Sequence, residues 1–256
     1  MAYRLVDTHA HLDEIEDTDG ALAKAKEAGL AAVIAVGIDV ASNVKTLKLS
    51  RRYPGLVYPA LGWHPENVRD SDIDATLEFI EANIGKAVAV GEVGLDYHKR
   101  IRAVAGKELQ KTALRELLKI AKKHDKPALI HSRYAWRDAF DVVYEAGLEI
   151  AVFHWYTGTS GVLRDIIIHG YYLSVTPAVE YHEEHRRAVK EAPLDKLLLE
   201  TDSPVTYARG RENEFQASPA DVVRSLRGAA ALRGISEAEM AEMTTGNAER
   251  LFGIIR

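Results

Sequence analysis

Short apolar runs rich in β-branched residues alternate with longer amphipathic stretches along the whole chain. Continuous apolar runs are typical of strands buried on both faces, and apolar positions spaced three or four apart are typical of helices. Eight strands are predicted: Leu5–Val6 running into Asp7–His9, Ala32–Val36, Leu56–Ala60, Ala87–Gly91, Ala128–Ile130, Ile150–Phe153, Tyr171–Ser174 and Lys196–Leu199. Helices are predicted over Gly20–Ala28, Ala41–Arg52, Ile73–Asn83, Gly106–His124, Trp136–Ala146, Gly161–His169, Pro219–Leu232 and Glu237–Leu251.

This alternation predicts parallel strands joined by right-handed crossovers, and eight strands favour a closed barrel over an open sheet. A (β/α)8 TIM barrel typically needs about 250 residues, and the chain has 256. We therefore expect an α/β fold, a (β/α)8 TIM barrel with an extra C-terminal helix. No Pro/Gly/Ser-rich linker divides the sequence, so residues 1–256 are expected to form one domain.

Composition narrows the classes of function. The net charge is -5 and the pI is about 6.1, which argues against broad electrostatic adhesion to nucleic acid or anionic membrane. A nucleic-acid substrate held locally by metal ions stays open. The absence of cysteine rules out disulfides and thiolate metal sites, and no apolar run is long enough to span a bilayer. Charge appears too early for a signal peptide, so a cytoplasmic location without membrane association is expected.

Residues able to bind metal occur where the predicted strands end. They are Asp7, His9 and His11 after the first strand, His64 after the third, Glu92 after the fourth, His131 after the fifth, His154 after the sixth and Asp202 after the eighth. The C-terminal ends of the strands in such a barrel converge on its active site. We therefore expect these side chains to lie together despite their separation in sequence.

His9 and His11 alternate with other residues, so in an extended segment both side chains point to the same side. Imidazole and carboxylate together suit Zn²⁺, Mn²⁺ or Fe²⁺, and they suit Mg²⁺ or Ca²⁺ less well when histidine dominates. Four histidines and two carboxylates exceed what one tetrahedral ion needs: His9, His11, Glu92, His131, His154 and Asp202. Two divalent ions sharing a carboxylate would use all six, as in two-metal hydrolases.

Other catalytic classes lack their motifs. Neither a glycine-rich dinucleotide loop nor a Gly-x-Ser-x-Gly elbow occurs. His124, His169, His182 and His185 are interpreted as polar surface or helix-end residues, and His98 has no assigned role. Trp63, Trp136 and Trp155 are interpreted as packing residues, and Trp63 and Trp155 should lie near the site because they adjoin His64 and His154.

In its motifs the chain resembles the TatD family of metal-dependent hydrolases, a deoxyribonuclease branch of the amidohydrolase superfamily. The matching segments are Asp7–Leu12, Gly62–Pro65, Gly91–Tyr97, Ile130–Arg133, His154 with Gly158, Glu200–Pro204 and Gly246–Phe252. They occur in family order and cover nearly the whole chain. The resemblance implies a distorted TIM barrel that holds two divalent ions, of which Zn²⁺, Mn²⁺ and Mg²⁺ are all compatible.

The resemblance also implies residue roles. His9, His11, Glu92 and Asp202 would hold one ion, and Glu92, His131 and His154 the second, with Glu92 bridging. His64 would bind the scissile phosphate. The implied activity is hydrolysis of DNA phosphodiesters, 3′→5′ from single-stranded ends, with Asp202 taking a proton from the attacking water. Glu92 and Asp202 are thus the expected catalytic residues, and no obligate protein partner is expected.

Alternatives stay open at this point. The same metals could hydrolyse a lactone, amide or ester, because barrels change chemistry through their loops. A non-enzymatic, degenerate barrel is disfavoured, since all six ligand positions are filled. Arg133 and Arg209 are looser candidates for binding phosphate, and Arg133 could equally form an ion pair at the barrel rim. Trp155-Tyr156 and Leu114–Leu117 depart from the family pattern, which leaves substrate preference open.

Overall fold

The computed structural model describes residues 3–254, and its centre is one sheet of eight parallel strands in sequential order. The strands are β1 (Leu5–Ala10), β2 (Leu30–Val36), β3 (Val57–Trp63), β4 (Ala89–Asp96), β5 (Ala128–Arg133), β6 (Ala151–Phe153), β7 (Tyr172–Val175) and β8 (Leu197–Leu199). Each strand pairs with the next one along the chain. Sequential parallel order of this kind is expected when every crossover between strands is right-handed.

The barrel closes between β8 and β1 through the segment that follows β8. The amide of His11 donates to the carbonyl of Ser203 at 2.8 Å, and the amide of Asp202 donates to the carbonyl of His9 at 2.9 Å. Ala10 and Ser203 form a parallel bridge there. The predicted (β/α)8 barrel is therefore confirmed, and its distortion lies at this seam, where β8 is only three residues long.

Helices follow the strands. They are α1 (Thr18–Glu27), α2 (Val40–Arg52), α3 (Ile73–Asn83), α4 (Lys99–Arg102), α5 (Lys107–Lys123), α6 (Trp136–Glu145), α7 (Ser160–Ile168), α8 (Glu183–Glu191), α9 (Val222–Arg233) and α10 (Glu237–Phe252). The predicted helices are found with ends shifted by a few residues; α1, for example, begins earlier because Asp17 caps it through the amide of Gly20. The sequence patterns missed α4, α8 and a short hairpin, β9 (Thr206–Tyr207) with β10 (Phe215–Gln216).

The core has two main parts. A large outer layer packs the strands against the surrounding helices. A smaller cluster joins alternate strand residues such as Ile34 and Leu198 to Leu251 and Phe252 of α10. Asn247 of α10 donates to the carbonyls of Leu194 and Leu197, at the start of β8. The predicted extra C-terminal helix therefore plugs the barrel at the N-terminal end of its strands.

Residues 3–254 include no helix with both the length and the hydropathy required to cross a membrane.

Candidate metal centre

The barrel gathers the six predicted metal ligands at the C-terminal end of its strands. They are His9 in β1, His11 just after it, Glu92 in β4, His131 in β5, His154 after β6 and Asp202 after β8. His131 is partly exposed at 16% of its side chain, and the other five are buried. Separation in sequence has thus become proximity in space, as strand-end placement predicts.

Glu92 lies at the centre of this group, and its two carboxylate oxygens face different histidines. Oε2 is 3.4 Å from Nε2 of His9 and 3.4 Å from Nε2 of His11. Oε1 is 2.7 Å from Nδ1 of His131 and 2.9 Å from Nε2 of His154. One carboxylate therefore stands between two pairs of imidazoles.

Asp202 approaches the first pair most closely. Its Oδ1 lies 3.6 Å from Nε2 of His9 and 3.3 Å from Nε2 of His11. The backbone of Asp202 has a φ of +48°, a left-handed conformation that non-glycine residues seldom adopt. Asp7 holds Thr201, the residue that precedes Asp202. The carboxylate of Asp7 accepts the hydroxyl of Thr201 at 2.6 Å and its amide at 3.0 Å.

Irregular pairing of the strands accompanies these residues. The register shifts between Asp7 and Ala10 in β1, and between Val90 and Val93 in β4, around His9 and Glu92. Such bulges re-aim side chains and are common beside active sites. Gly62 of β3 is required here, since a Cβ would lie 2.3 Å from the backbone nitrogen of Glu92.

The charges of the cluster balance one another. Burial alone would raise the pKa of the Glu92 carboxyl, but the surrounding histidines more than offset this and hold that pKa well below its usual range. Burial alone would lower the pKa of His11, but the adjoining Asp202 and Glu92 raise it to about 9. The pKa of His154 is likewise raised well above normal by Glu92 and Glu200 against the effect of burial. In the ion-free protein, protons on histidine therefore compensate the buried carboxylates.

The donor set fits divalent ions. Among the described residues, Nε2 of His9 is buried without a hydrogen-bond partner although it faces Glu92 and Asp202, and such a group is costly unless something satisfies it. Ligand atoms lie within 4.8 Å of one another in three overlapping groups: His9, His154 and Asp202; His9, His11 and Glu92; His64, Glu92 and His131. Imidazole nitrogen with carboxylate oxygen is the donor set that Zn²⁺ and Mn²⁺ accept.

His64 lies beside the cluster and is oriented by its own turn. Its Nδ1 accepts the amide of Glu66 at 3.2 Å, so Nε2 carries the ring proton. That nitrogen is 3.8 Å from Oε1 of Glu92. Burial lowers the pKa of His64 to about 3, and the ring is a neutral N–H donor. A protonated nitrogen cannot ligate a metal but can donate to an anion.

Two buried carboxylates surround the ligands and had no assigned role in the sequence. Asp96 at the end of β4 accepts Nη2 of Arg133 at 2.6 Å and lies 3.6 Å from Nε2 of His131. Glu200 lies behind His9 and His154. Both residues lie inside segments that match the family, Gly91–Tyr97 and Glu200–Pro204. That match was the sequence signal that could have identified them. Arg133 thus forms the rim ion pair that was one of its two interpretations.

The positions of the remaining histidines agree with the predictions in some cases and contradict one of them. His124 and His169 end helices, and His182 begins α8, as predicted. The interpretation of His185 as a polar surface or helix-end residue is wrong: it is 1% exposed, inside α8, with Nε2 accepting the amide of Thr176. His98 begins α4.

A cavity of about 980 Å³ opens from the candidate metal ligands to the surface. The wall beyond His131 and His154 carries cations and aromatic rings: Arg133, Tyr134, Trp136, Trp155, Arg187 and Arg209. Glu14 and Glu66 line the cavity beside His11 and His64, and Glu184 lines it beside His182. Trp155 is near the site as predicted, whereas Trp63 is buried and donates to the carbonyl of Asn67.

A (β/α)8 barrel with this histidine–carboxylate cluster at the C-terminal end of its strands defines the chain as a metal-dependent hydrolase. The chain belongs to the TatD family, since the family model described as TatD related DNase matches residues 6–253.

Relatives agree with this assignment over their full lengths. Deoxyribonuclease TATDN3 of Homo sapiens is 35% identical over 265 aligned residues, covering 98% of this chain and 96% of the relative. The uncharacterized metal-dependent hydrolase YabD of Bacillus subtilis is 34% identical, covering 98% and 99%. The solved structure of the TatD homologue YJJV of Escherichia coli has a TM-score of 0.89 at 28% identity, covering 100% of both chains.

Proposed function

We propose that the protein is a deoxyribonuclease that hydrolyses phosphodiesters at the 3′ ends of single-stranded DNA with the aid of two divalent ions. The observation that carries the proposal is the position of Glu92, whose two oxygens each face a separate pair of histidines. A carboxylate placed in this way suits a bridge between two ions. The human relative named as a deoxyribonuclease supports the substrate.

In this proposal His9, His11, Glu92 and Asp202 hold one ion, and Glu92, His131 and His154 hold the other. When bound, such ions supply positive charge beside the phosphate and a water of lowered pKa. Zn²⁺, Mn²⁺ and Mg²⁺ are all candidates, and the nitrogen-rich donor set favours the first two.

The chain's own residues then position the substrate and move a proton. The carboxylate of Asp202 takes the proton of the attacking water, because it lies at the open end of the cluster. The Nε2–H of His64 donates to a non-bridging phosphate oxygen, where negative charge grows in the transition state. The backbone amide of Glu66 keeps that proton on Nε2.

The wall of the cavity supports a polynucleotide over a smaller phosphodiester. Arg187 and Arg209 line it and can neutralise phosphates away from the cleaved bond. Tyr134, 61% exposed, and Trp155 present rings there. Aromatic rings of this kind stack on the bases of single strands, because every base has a π-face.

Digestion of single-stranded DNA labelled at either end tests the proposal. Purified protein is stripped with a chelator, and Mg²⁺, Mn²⁺ or Zn²⁺ is restored separately. The proposal predicts metal-dependent loss of a 3′ label before a 5′ label, and slower digestion of duplex DNA. Early release of the 5′ label would contradict the polarity, and no cleavage with any ion would contradict the substrate.

A small-molecule ester, amide or lactone is the second candidate. Glu14, Glu66 and Glu184 line the cavity and disfavour a polyanion on their side. A panel of lactones and cyclic amides, assayed beside DNA with the same ions, distinguishes the two. Faster turnover of any panel member than of DNA would favour this candidate. The cytoplasmic location and the absence of an obligate partner stay predictions.

A further inference from the structure

Three buried polar atoms behind the metal ligands lack hydrogen-bond partners among the described residues. They are Nδ1 of His9, Nδ1 of His154 and Oε2 of Glu200. Glu200 is 0% exposed, so bulk solvent does not reach its oxygen. Leaving one such group unpaired costs free energy. Three of them in one place indicate a shared interaction.

The three atoms face one another. Oε2 of Glu200 is 3.9 Å from Nδ1 of His9 and 3.7 Å from Nδ1 of His154. The two rings are stacked, with centroids 4.2 Å apart and planes within 9°. Their Nδ1 edges thus face one carboxylate oxygen, and their Nε2 edges face Glu92 on the opposite side.

Glu200 itself is held rigidly. Its other oxygen, Oε1, accepts the amide of Trp155 at 2.9 Å. The hydroxyl of Ser225 donates to its backbone carbonyl at 2.8 Å, and its amide donates to the carbonyl of Val175 at 2.9 Å. A residue fixed through its backbone and through one carboxylate oxygen can set the orientation of the rings that face its other oxygen.

We infer that Glu200 is a positioning residue shared by the two metal sites. Its Oε2 lies just beyond hydrogen-bond distance of both Nδ1 atoms. With ions bound it would close on the Nδ1–H of His9 and of His154, which places the lone pair of each ring on Nε2. Partners behind a ligating histidine fix its tautomer and orientation in this way. The inference rests on the proposed ligand sets, in which His9 serves one ion and His154 the other. One buried oxygen would therefore tune both sites together.

Nitrogen NMR of the Zn²⁺-loaded protein tests the proton positions directly. The inference predicts that His9 and His154 both show Nδ1–H signals shifted downfield by a carboxylate acceptor. In Glu200→Gln, a side chain with one acceptor oxygen cannot serve both the Trp155 amide and the two rings. Both signals should then move upfield or vanish. Unchanged signals in this variant would overturn the inference.

Competition of Zn²⁺ with a chelator gives a second readout, in Glu200→Gln and Glu200→Ala. Both equivalents of Zn²⁺ should bind about 10–100-fold more weakly, as expected when such a partner is lost. Glu14→Gln is the matched control, since it removes one negative charge from the cavity and should retain wild-type affinity. Weakening of one equivalent alone would overturn the shared role, as would wild-type affinity for both in a folded variant. DNA cleavage is not measured, so a failed substrate proposal leaves this result interpretable.

Discussion

The two ends of the barrel differ in what their residues do for the molecule. At the C-terminal end of the strands, histidines and carboxylates are buried against one another, and Tyr134, Trp155 and Asp202 have positive φ. At the N-terminal end, α10 inserts Leu251 and Phe252 into an apolar cluster. Strained backbone and unpaired polar atoms destabilise the folded state, whereas burial of apolar side chains stabilises it. The closed end thus stabilises a barrel whose open end is organised for chemistry.

The largest effect is expected at the open end. Glu92→Ala removes the carboxylate whose two oxygens face the two histidine pairs, and it should abolish metal-stimulated DNA cleavage. Losing a direct ligand should exceed the roughly 10–100-fold loss typical of an outer partner. The measurement is kcat/KM on single-stranded DNA. Cleavage at the wild-type rate would refute the proposed mechanism.

The closed end should respond in stability and not in chemistry. Phe252→Ala leaves a cavity beneath the barrel and should lower the free energy of unfolding by about 3–5 kcal/mol, measured by urea denaturation. Ile168→Ala is the control, because Ile168 is 76% exposed and should change it by less than about 0.5 kcal/mol. A drop in kcat of folded Phe252→Ala would show that the two ends are not independent.

Removing the group proposed to donate a hydrogen bond to phosphate should slow the reaction and leave metal binding unchanged. His64→Ala deletes the Nε2–H and should lower kcat/KM on DNA by about 100-fold, as for loss of one charge-stabilising donor. The content of bound metal should stay at the wild-type value, since a protonated nitrogen is not a ligand. Metal analysis that finds an ion missing in this variant would instead make His64 a ligand.

Acid should destabilise the protein through His185. Burial lowers the pKa of His185 to about 4, although the hydrogen bond to the carbonyl of Tyr156 acts in the opposite direction. The neutral ring accepts the amide of Thr176 on Nε2. The unfolded chain, with a pKa near 6.5, binds the proton first. Stability is therefore present above pH 6.5 and is lost as the pH falls toward 4.

The expected loss between pH 7 and pH 5 is about 2 kcal/mol from this group. Urea denaturation at both values, for the wild type and for His185→Gln, measures it. The variant should show a smaller difference between the two pH values. An equal difference in both proteins would assign the acid sensitivity to other groups.

The sequence predicted the barrel and the clustering of the candidate ligands because both depend on local patterns. Strands such as Ala32–Val36 and Ala128–Ile130 are short apolar runs, and His9, Glu92 and His131 lie at or next to strand ends. Their meeting then follows from the barrel itself.

Features that depend on distant contacts escaped prediction. α8 reads as a charged segment, with only His185, Ala188 and Val189 buried, and β9 and β10 are two residues each. The closing bridge between Ala10 and Ser203 and the position of Glu200 behind two histidines arise only once the barrel has formed.

Counting bound ions tests the central claim most directly. Equilibrium dialysis against Mn²⁺ or Zn²⁺, followed by elemental analysis, gives the stoichiometry for the wild type and for Glu92→Gln, which keeps the size of the side chain. The account predicts two ions per wild-type chain and at most one in the variant, because Glu92 faces both histidine pairs. Two tightly bound ions in Glu92→Gln, or fewer than one in the wild type, would contradict it.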